Sequence, residues 1–484
     1  MRICRNFDNE TITNGRYLPF TSCLASILAT AKPPCFGAFR SNYQRTTVRR
    51  QLEESLKSLT TNARRRSTFA VAGVSASLLL ALTATSAIAA PTPAPSITTK
   101  PVACAPEEGV SSGSVSLGFM TPQTGPAAPN FQGAWQAAQL RIDQENAKGG
   151  VFGRKLKLTV YDDGSSPTTQ ISAINKALQS DHIFGLGVNS SVDAMYTTLK
   201  QQNIPVTGFS NLPLALDRNA FSGTGVPLPS NINGTGLFDQ LKSLGVTKLA
   251  IINHASPGAA NSGNAQAKTV QFVPGLTTVL RIADELMGAH DATSTALRVK
   301  SSGADGVIFT GFIEGGVSLA QALSQQGVKL KGFNVAGLTD PSVLRTLNGA
   351  LEGAIGTTYG AVPVGVNIRG VKTFAAGMKA AGLNPYSASA PMGYVAADLL
   401  IRGLKEAGKC PTRALFIDKL RNVTNYDGGG LAPGKISFKP GITPNGTPST
   451  CGYYLTVKGT DLVPDAKPTC GGKFIDTNTG KVLN

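Results

Sequence analysis

Few residues in this chain are arranged to do covalent chemistry. Its three histidines, His182, His254 and His290, stand apart at no metal-ligand spacing, and each reads as a surface or strand-end residue rather than a base. No His-Glu-x-x-His pair is present, and the one Gly-x-Ser-x-Gly string, Gly109 to Gly113, precedes the first strand rather than following one, so it is not a nucleophile elbow. Asp162-Asp163 offers two carboxylates, but the pair ends an alternating run and precedes Gly164, which is the pattern of a strand-ending turn. Gly403-x4-Gly408-Lys409-Cys410 approaches a phosphate-cradling loop. That loop needs a strand before it and a hydroxyl after it for magnesium; here a helical pattern precedes and Cys410 replaces the hydroxyl, so the segment reads as a helix ended by glycine.

What remains is binding chemistry. Asn189, Ser190 and Ser191 follow an apolar strand and open a helix, so their hydroxyl, amide and backbone N–H groups suit a carboxylate; the same residues equally suit plain helix capping. Ser210 and Asn211 follow the next strand at the equivalent place, and Gln123 to Pro126 follows the first. Ligands of α/β sheets bind at such carboxyl-end loops. No cofactor and no metal is expected, and none of the cysteine spacings is Cys-x-x-Cys.

These loops are positioned by a unit between Ser114 and Leu178. Val115, Leu117 and Phe119 alternate as a strand does, and Thr121 to Pro129 breaks the pattern. Phe131, Trp135, Ala138 and Ile142 recur at helical spacing up to Gly149-Gly150, which can close a helix in the left-handed conformation. Lys155 to Tyr161 alternates again; Ser166 can cap a helix opened by Pro167 that buries Ile171, Ile174 and Leu178. Strands joined in this way are almost always parallel. His182 to Val188 is a nearly unbroken apolar run, as a strand buried on both faces requires, and Pro205 to Phe209, Val246 to Asn253, Thr277 to Ile282, Gly306 to Thr310 and Gly332 to Ala336 continue the alternation with helices. This is an α/β protein, and the loop from Phe221 to Asn233 separates two lobes.

The formal net charge of +17 suggests nucleic acid, but residues 1–90 carry twelve Lys/Arg against four Asp/Glu, so +8 belongs to a leader and +9 is spread over the rest without a basic stripe. No nucleic-acid partner is expected. Arg64-Arg65-Arg66, the uncharged run Phe69 to Ala84 and Ala87-Ile88-Ala89 make 63–89 a secretory signal, with cleavage before Ala90. Residues 1–62 fit a start codon assigned too far upstream. Pro91 to Pro106 is rich in Pro and Thr, and 90–113 reads as an extended tether. Past the leader four cysteines remain, Cys104, Cys410, Cys451 and Cys470, an even number as an oxidising compartment favours. Cys451 and Cys470 flank two β-like runs, Tyr453 to Val457 and Leu462-Val463, that can form a hairpin; they are paired on that ground, which leaves Cys104 for Cys410.

The stretch Leu117-Gly118-Phe119, Thr124-Gly125-Pro126, Ile142-Asp143-Gln144-Glu145-Asn146, Gly149-Gly150, Gly153-Arg154-Lys155 and Tyr161-Asp162-Asp163 resembles the first lobe of the periplasmic solute-binding proteins of the leucine/isoleucine/valine type, the receptors of branched-chain amino-acid ABC transporters. The tail from Asn425 through Gly430, Lys435 to Phe438 and Tyr453 to Val457 fits as well. The resemblance implies two doubly wound parallel-sheet lobes joined by a three-crossing hinge, with crossings near Ser230, Tyr359 and Gly430. The lobes are then 114–230 with 360–430, and 231–359 with 431–484. It also implies that the Ser190-Ser191 loop and the Ser210-Asn211 pair hold a ligand's carboxylate and amino group, and that Phe312 fills an aromatic position. Where the amino-acid receptors often place an acid, this chain has Ala336-Gly337-Leu338-Thr339, so Thr339 faces the ligand instead and the solute need not be an α-amino acid.

The expectation is therefore a secreted, extracytoplasmic, monomeric receptor that closes around one small carboxylate-bearing or amino-acid-like ligand and delivers it to an ABC permease. A sensing or scavenging receptor of the same fold without a permease is the alternative; an enzyme comes third.

Overall fold

Alternation in the first apolar run does what the pattern requires: Val115, Leu117 and Phe119 point into the core while β1, Ser114–Thr121, runs through the middle of a sheet. The computed structural model describes residues 104–483 other than 210, 225–227 and 348. The leader and the secretory signal lie outside the described residues. β1 is joined in the first sheet by β2 (Lys155–Asp162), β3 (Gly185–Asn189), β4 (Val206–Phe209) and β5 (Ala220–Ser222), in the order β2-β1-β3-β4-β5 with every pair parallel. All five residues of β3 are buried, which is why that strand reads as an unbroken apolar run.

After β6 (Ile232–Gly234), a second sheet is built from β7 (Lys248–His254), β8 (Thr277–Glu285), β9 (Gly306–Thr310), β10 (Gly332–Ala336) and β11 (Ile355–Thr357), extended by β12 (Tyr454–Lys458) and β13 (Asp461–Pro464). Its order is β13-β12-β11-β10-β9-β7-β8, parallel from β8 through β11 and antiparallel where β12 and β13 are added. β14 (Phe474–Asp476) and β15 (Val482–Leu483) pair with β6 in a small antiparallel sheet. Both parallel cores thus have their first strand in the middle and reverse direction beside it, at β1/β3 and at β7/β9. Such a reversal leaves a crevice at the carboxyl ends of the two strands.

Helices close each unit as the punctuation directs. Ser166 accepts from the N–H of Thr169 ahead of the helix Pro167–Gln179. The helix Ala134–Ala147 ends where Gly150 donates to the carbonyl of Glu145 at 3.0 Å with φ +77°; a Cβ there would lie 2.0 Å from the Arg154 carbonyl oxygen, so only glycine fits. The Gly403-to-Cys410 segment is the end of the helix Ala390–Ala407.

The late segment completes the first lobe. Residues of the helices Arg369–Ala380, Ala390–Ala407 and Arg413–Leu420 share one apolar core with β1 and β5, and so do Leu431, Ile436, Phe438 and Tyr453, whereas Tyr454 belongs to the second lobe's core. The chain's last passage between lobes therefore falls between Tyr453 and Tyr454 rather than near Gly430. The cause is the packing of Phe438 edge-on to Phe221 and the hydrogen bonds from the Asn445 amide to the carbonyls of Leu214, Asp217 and Ala220.

Two disulfides join Cys104 to Cys410 and Cys451 to Cys470. The second closes over the antiparallel β12–β13 hairpin. Residues 104–113, the end of the expected extended tether, pack on the first lobe: beside the disulfide, Glu108 pairs with Arg413 at 3.1 Å and the N–H of Ser116 donates to Gly109.

Asp305 pins the amino ends of three strands of the second sheet. It accepts the N–H groups of Thr247 at 2.9 Å and Lys248 at 2.7 Å and the Lys331 ammonium at 2.9 Å. Burial opposes its charge, yet the hydrogen bonds from Lys248 and Thr247 win and hold the carboxyl well below the usual carboxylate range. Asp305→Asn is expected to cost about 1–2 kcal/mol at neutral pH, since the site is partly open to solvent. A depressed carboxyl stabilises the fold above its unfolded pKa, about 3.9, and loses that contribution as pH falls toward its folded value. Urea melts should show a variant-to-native gap that is constant from about pH 5 to 7 and shrinks below about pH 4. A gap that stays constant through acid would contradict the assignment.

Candidate functional site

The crevices of the two sheets face one another across an open cavity of about 450 Å³. From the first lobe, Asn130 and Phe131 come from the loop after β1, Asn189, Ser191 and Asp193 from the loop after β3, and Phe209 and Asn211 from the end of β4 and its loop. Ser389, just ahead of the helix Ala390–Ala407, adds to the same wall. From the second lobe come His254 at the end of β7 and Ser256 after it, Phe312 after β9, Ala336 at the end of β10 and Tyr359 after β11. The lobes touch around this space: Phe131 meets Phe312 edge-on at 6.5 Å, the N–H of Ile313 donates to Asn130 Oδ1 at 3.4 Å, and Phe209 lies 5.2 Å from Tyr359.

The loop after β3 is held from behind. Ser190 is fully buried and donates to the carboxylate of Asp163, while its Oγ accepts the N–H of Val192 at 3.0 Å. Burial pushes the Asp163 carboxyl up, against the Ser190 hydroxyl that favours its charge. Gln170 donates to the Val192 carbonyl at 2.9 Å and accepts the N–H of Met195 at 3.1 Å; Asn211 donates to the same Val192 carbonyl at 3.2 Å. Ser190 thus faces the scaffold, and Ser191 faces the cavity. Helix capping by either serine is ruled out, because the next helix, Tyr196–Gln201, starts five residues beyond Ser191 and has Met195 as its N-cap.

The remaining expected site residues separate. Asn189 lines the cavity, with its amide donating to the Ser389 carbonyl at 3.4 Å; Asn211 lines it while fixing the loop; Phe312 lines it as a ring. Ser210 lies outside the described residues. Gln123 and Thr339 do not border the cavity. Gln123 is exposed, its backbone N–H donating to Asp162 Oδ1 at 2.8 Å, because Asp162 gathers the loop after β1 onto the turn at Gly164. Thr339 donates instead to the carbonyl of Tyr386 at 2.8 Å and so bonds one lobe to the other beside the hinge.

His254 and Tyr359 escaped the sequence as site residues. His254 was legible only as the end of a strand, and that position, at a reversal of strand order, is the signal that could have found it. Its Nε2 accepts the N–H of Phe312 at 2.7 Å, its ring lies 4.6 Å from that of Phe312, and burial holds its pKa down at about 4. Among the described residues that line the cavity, no nucleophile is hydrogen-bonded to a base. Among the described residues no group of three or more His, Cys, Asp or Glu could hold a metal, and no helix is long and apolar enough to cross a membrane.

Two α/β lobes with a crevice between their carboxyl-end loops are the type 1 periplasmic binding protein architecture. The profile of the periplasmic binding protein family matches residues 114–461, and the chain belongs to that family, whose members are solute receptors and not enzymes. Among its relatives is the Leu/Ile/Val-binding protein BraC3 of Rhizobium johnstonii, 27% identical over 307 residues, which span 61% of this chain and 80% of that protein. Among solved structures, a branched-chain amino-acid ABC transporter protein of Thermus thermophilus with bound valine superposes with a TM-score of 0.64 at 18% identity, covering 74% of this chain and 97% of that one. A fatty acid ABC transporter substrate-binding protein of Thermomonospora curvata gives 0.62 at 19% identity over 79% and 98%.

Proposed function

We propose that the protein is the extracytoplasmic receptor of an ABC importer, taking one small carboxylate-bearing or amino-acid-like solute between its lobes and presenting it, as a monomer, to a permease. The observation that carries this reading is the cavity walled by carboxyl-end loops of both sheets, with Phe131–Phe312 and Asn130–Ile313 contacts across it. Its volume of about 450 Å³ lies within the range of roughly 300–1,000 Å³ usual for small-molecule sites. A solute touching both walls stabilises the closed form only through its greater affinity for that form, so hinge closure needs no covalent step. Secretion is supported by the two disulfides and by the family, and transport by the names of relatives that bind branched-chain amino acids or fatty acids.

A thermal-shift screen of small carboxylates, amino acids, amides and aromatic acids identifies ligands, since a ligand at 100 times its dissociation constant adds about 2.7 kcal/mol. With one in hand, the two serines separate. Ser191→Ala should weaken binding by about 1.5–3 kcal/mol, ten- to a hundredfold, with the melting temperature nearly unchanged. Ser190→Ala should instead cost about 1–3 kcal/mol of stability, because the buried Asp163 carboxylate loses its hydroxyl donor and keeps the N–H of Ser165. Unchanged affinity in Ser191→Ala would remove the loop after β3 from the site.

A further inference from the structure

His254 has a polar atom that nothing among the described residues satisfies. The residue ends β7 beside the reversal in strand order, is 2% exposed, and forms part of the cavity wall. Because its Nε2 accepts the N–H of Phe312, that nitrogen carries no proton, and the neutral ring must carry its proton on Nδ1. Nδ1 is buried and has no hydrogen-bond partner. Native folds seldom leave a buried donor unpaired, since the water it gave up is then replaced by nothing.

Two residues further on, the helix Pro257–Val270 begins at the same end of the cavity. Ser256 is its N-cap, yet the Ser256 hydroxyl makes no capping hydrogen bond, and the first turn contains no acidic residue. Pro257 and Gly258 of that turn line the cavity. An orphan N–H and the amide end of a helix both favour an acceptor, an anionic one most of all. An ammonium group placed here would face the positive end of the helix. The carboxylate that does line the cavity, Asp193, is solvent-exposed on the opposite wall, where water screens it. The rings of Phe131, Phe209, Phe312 and Tyr359 give the cavity an apolar lining.

We propose that His254, with the start of the helix Pro257–Val270, is an acceptor-binding subsite, and that the solute is an apolar-bodied organic acid with a second carboxylate or carbonyl group and no ammonium. This rests on the reading of the cavity as the solute site and adds the ligand's chemical class. His254 is then a specificity-determining residue of the second lobe, and Ser191 serves the other end of the solute.

Calorimetric titration with adipate, 4-methylpentanoate and L-leucine tests it. Adipate should bind at least tenfold more tightly than 4-methylpentanoate, and leucine most weakly. His254→Phe should abolish the adipate advantage over 4-methylpentanoate; His254→Gln, which can accept from Phe312 and still donate, should restore most of it. Long-range 15N–1H spectra of the unmodified protein, which has three histidines, give a reading independent of any variant: one ring should be protonated on Nδ1, and that nitrogen should shift on addition of adipate. Tightest binding of leucine, no binding of adipate, an unmoved Nδ1 signal, or an adipate preference that survives His254→Phe overturns the subsite. If Ser191→Ala still weakens the bound probe, the cavity remains the solute site; if neither Ser191→Ala nor His254→Phe matters, both readings fall.

Discussion

Arg141→Met is expected to lower the stability of the protein by about 3–5 kcal/mol, the usual consequence of removing one member of a buried ionic cluster. Arg141 is 8% exposed; its Nε donates to Asp398 at 2.7 Å and its guanidinium reaches Glu145 at 3.1 Å. Asp398 also accepts the hydroxyl of the fully buried Tyr426 at 2.9 Å, and Glu145 pairs with Lys405. The cluster therefore ties the helix Ala134–Ala147 to the helix Ala390–Ala407 and to the segment after it. Methionine fills the volume but leaves Asp398 buried without its cation. The double variant Arg141→Met with Asp398→Leu should recover part of the loss, because replacing a buried pair by apolar groups costs less than orphaning one partner. Denaturant unfolding measures both. A single-variant loss below about 1 kcal/mol, or a double variant worse than the sum of the two singles, would show that the cluster is not acting as a buried ionic unit.

Gly393→Ala is expected to destabilise by about 3 kcal/mol and to weaken solute binding as well. A Cβ on Gly393 would sit 1.8 Å from the carbonyl oxygen of Ala134 and 2.9 Å from its Cα. Backbone cannot yield as a side-chain tip can, so the two helices must move apart. Their leading ends carry cavity residues that are bonded to each other: Ser389 Oγ donates to the Asn130 carbonyl at 2.6 Å. Separation of the helices therefore shifts Asn130 and Phe131 against Phe312. Unfolding measurements together with the affinity of a ligand from the screen test the linkage. Full stability in Gly393→Ala would mean the helices can part without cost; a stability loss with unchanged affinity would uncouple the helix pair from the cavity.

Local pattern determined a good deal. Period-two alternation and apolar runs placed β1 to β4 and β7 to β10, because a strand's burial is written every second residue or, in a parallel core, at every residue. Helix punctuation at Ser166-Pro167 and Gly149-Gly150 was equally plain, since capping and the left-handed conformation depend on residue type alone. The β12–β13 hairpin was legible from two β-like runs between Cys451 and Cys470, and the loops after β1, β3 and β4 were legible as the place to look for a ligand. The shortest strands, β5, β6, β11, β14 and β15, were not, because two or three residues show no period.

Tertiary structure decided which residues of those loops meet the solute. Ser190 and Ser191 are the same residue type in adjacent places; only the buried Asp163, twenty-seven residues earlier in the chain, turns one toward the scaffold and leaves the other to the cavity. Gln123 was drawn away by Asp162, and Thr339 by the carbonyl of Tyr386. His254 became a cavity wall through its bond to Phe312, fifty-eight residues away. The passage between Tyr453 and Tyr454 was set by Phe438 and Asn445 seeking partners on the first lobe. Each of these outcomes is a contact between segments far apart in sequence, and the orientation of a side chain in a loop depends on such contacts, whereas the presence of a strand or helix depends chiefly on its own residues.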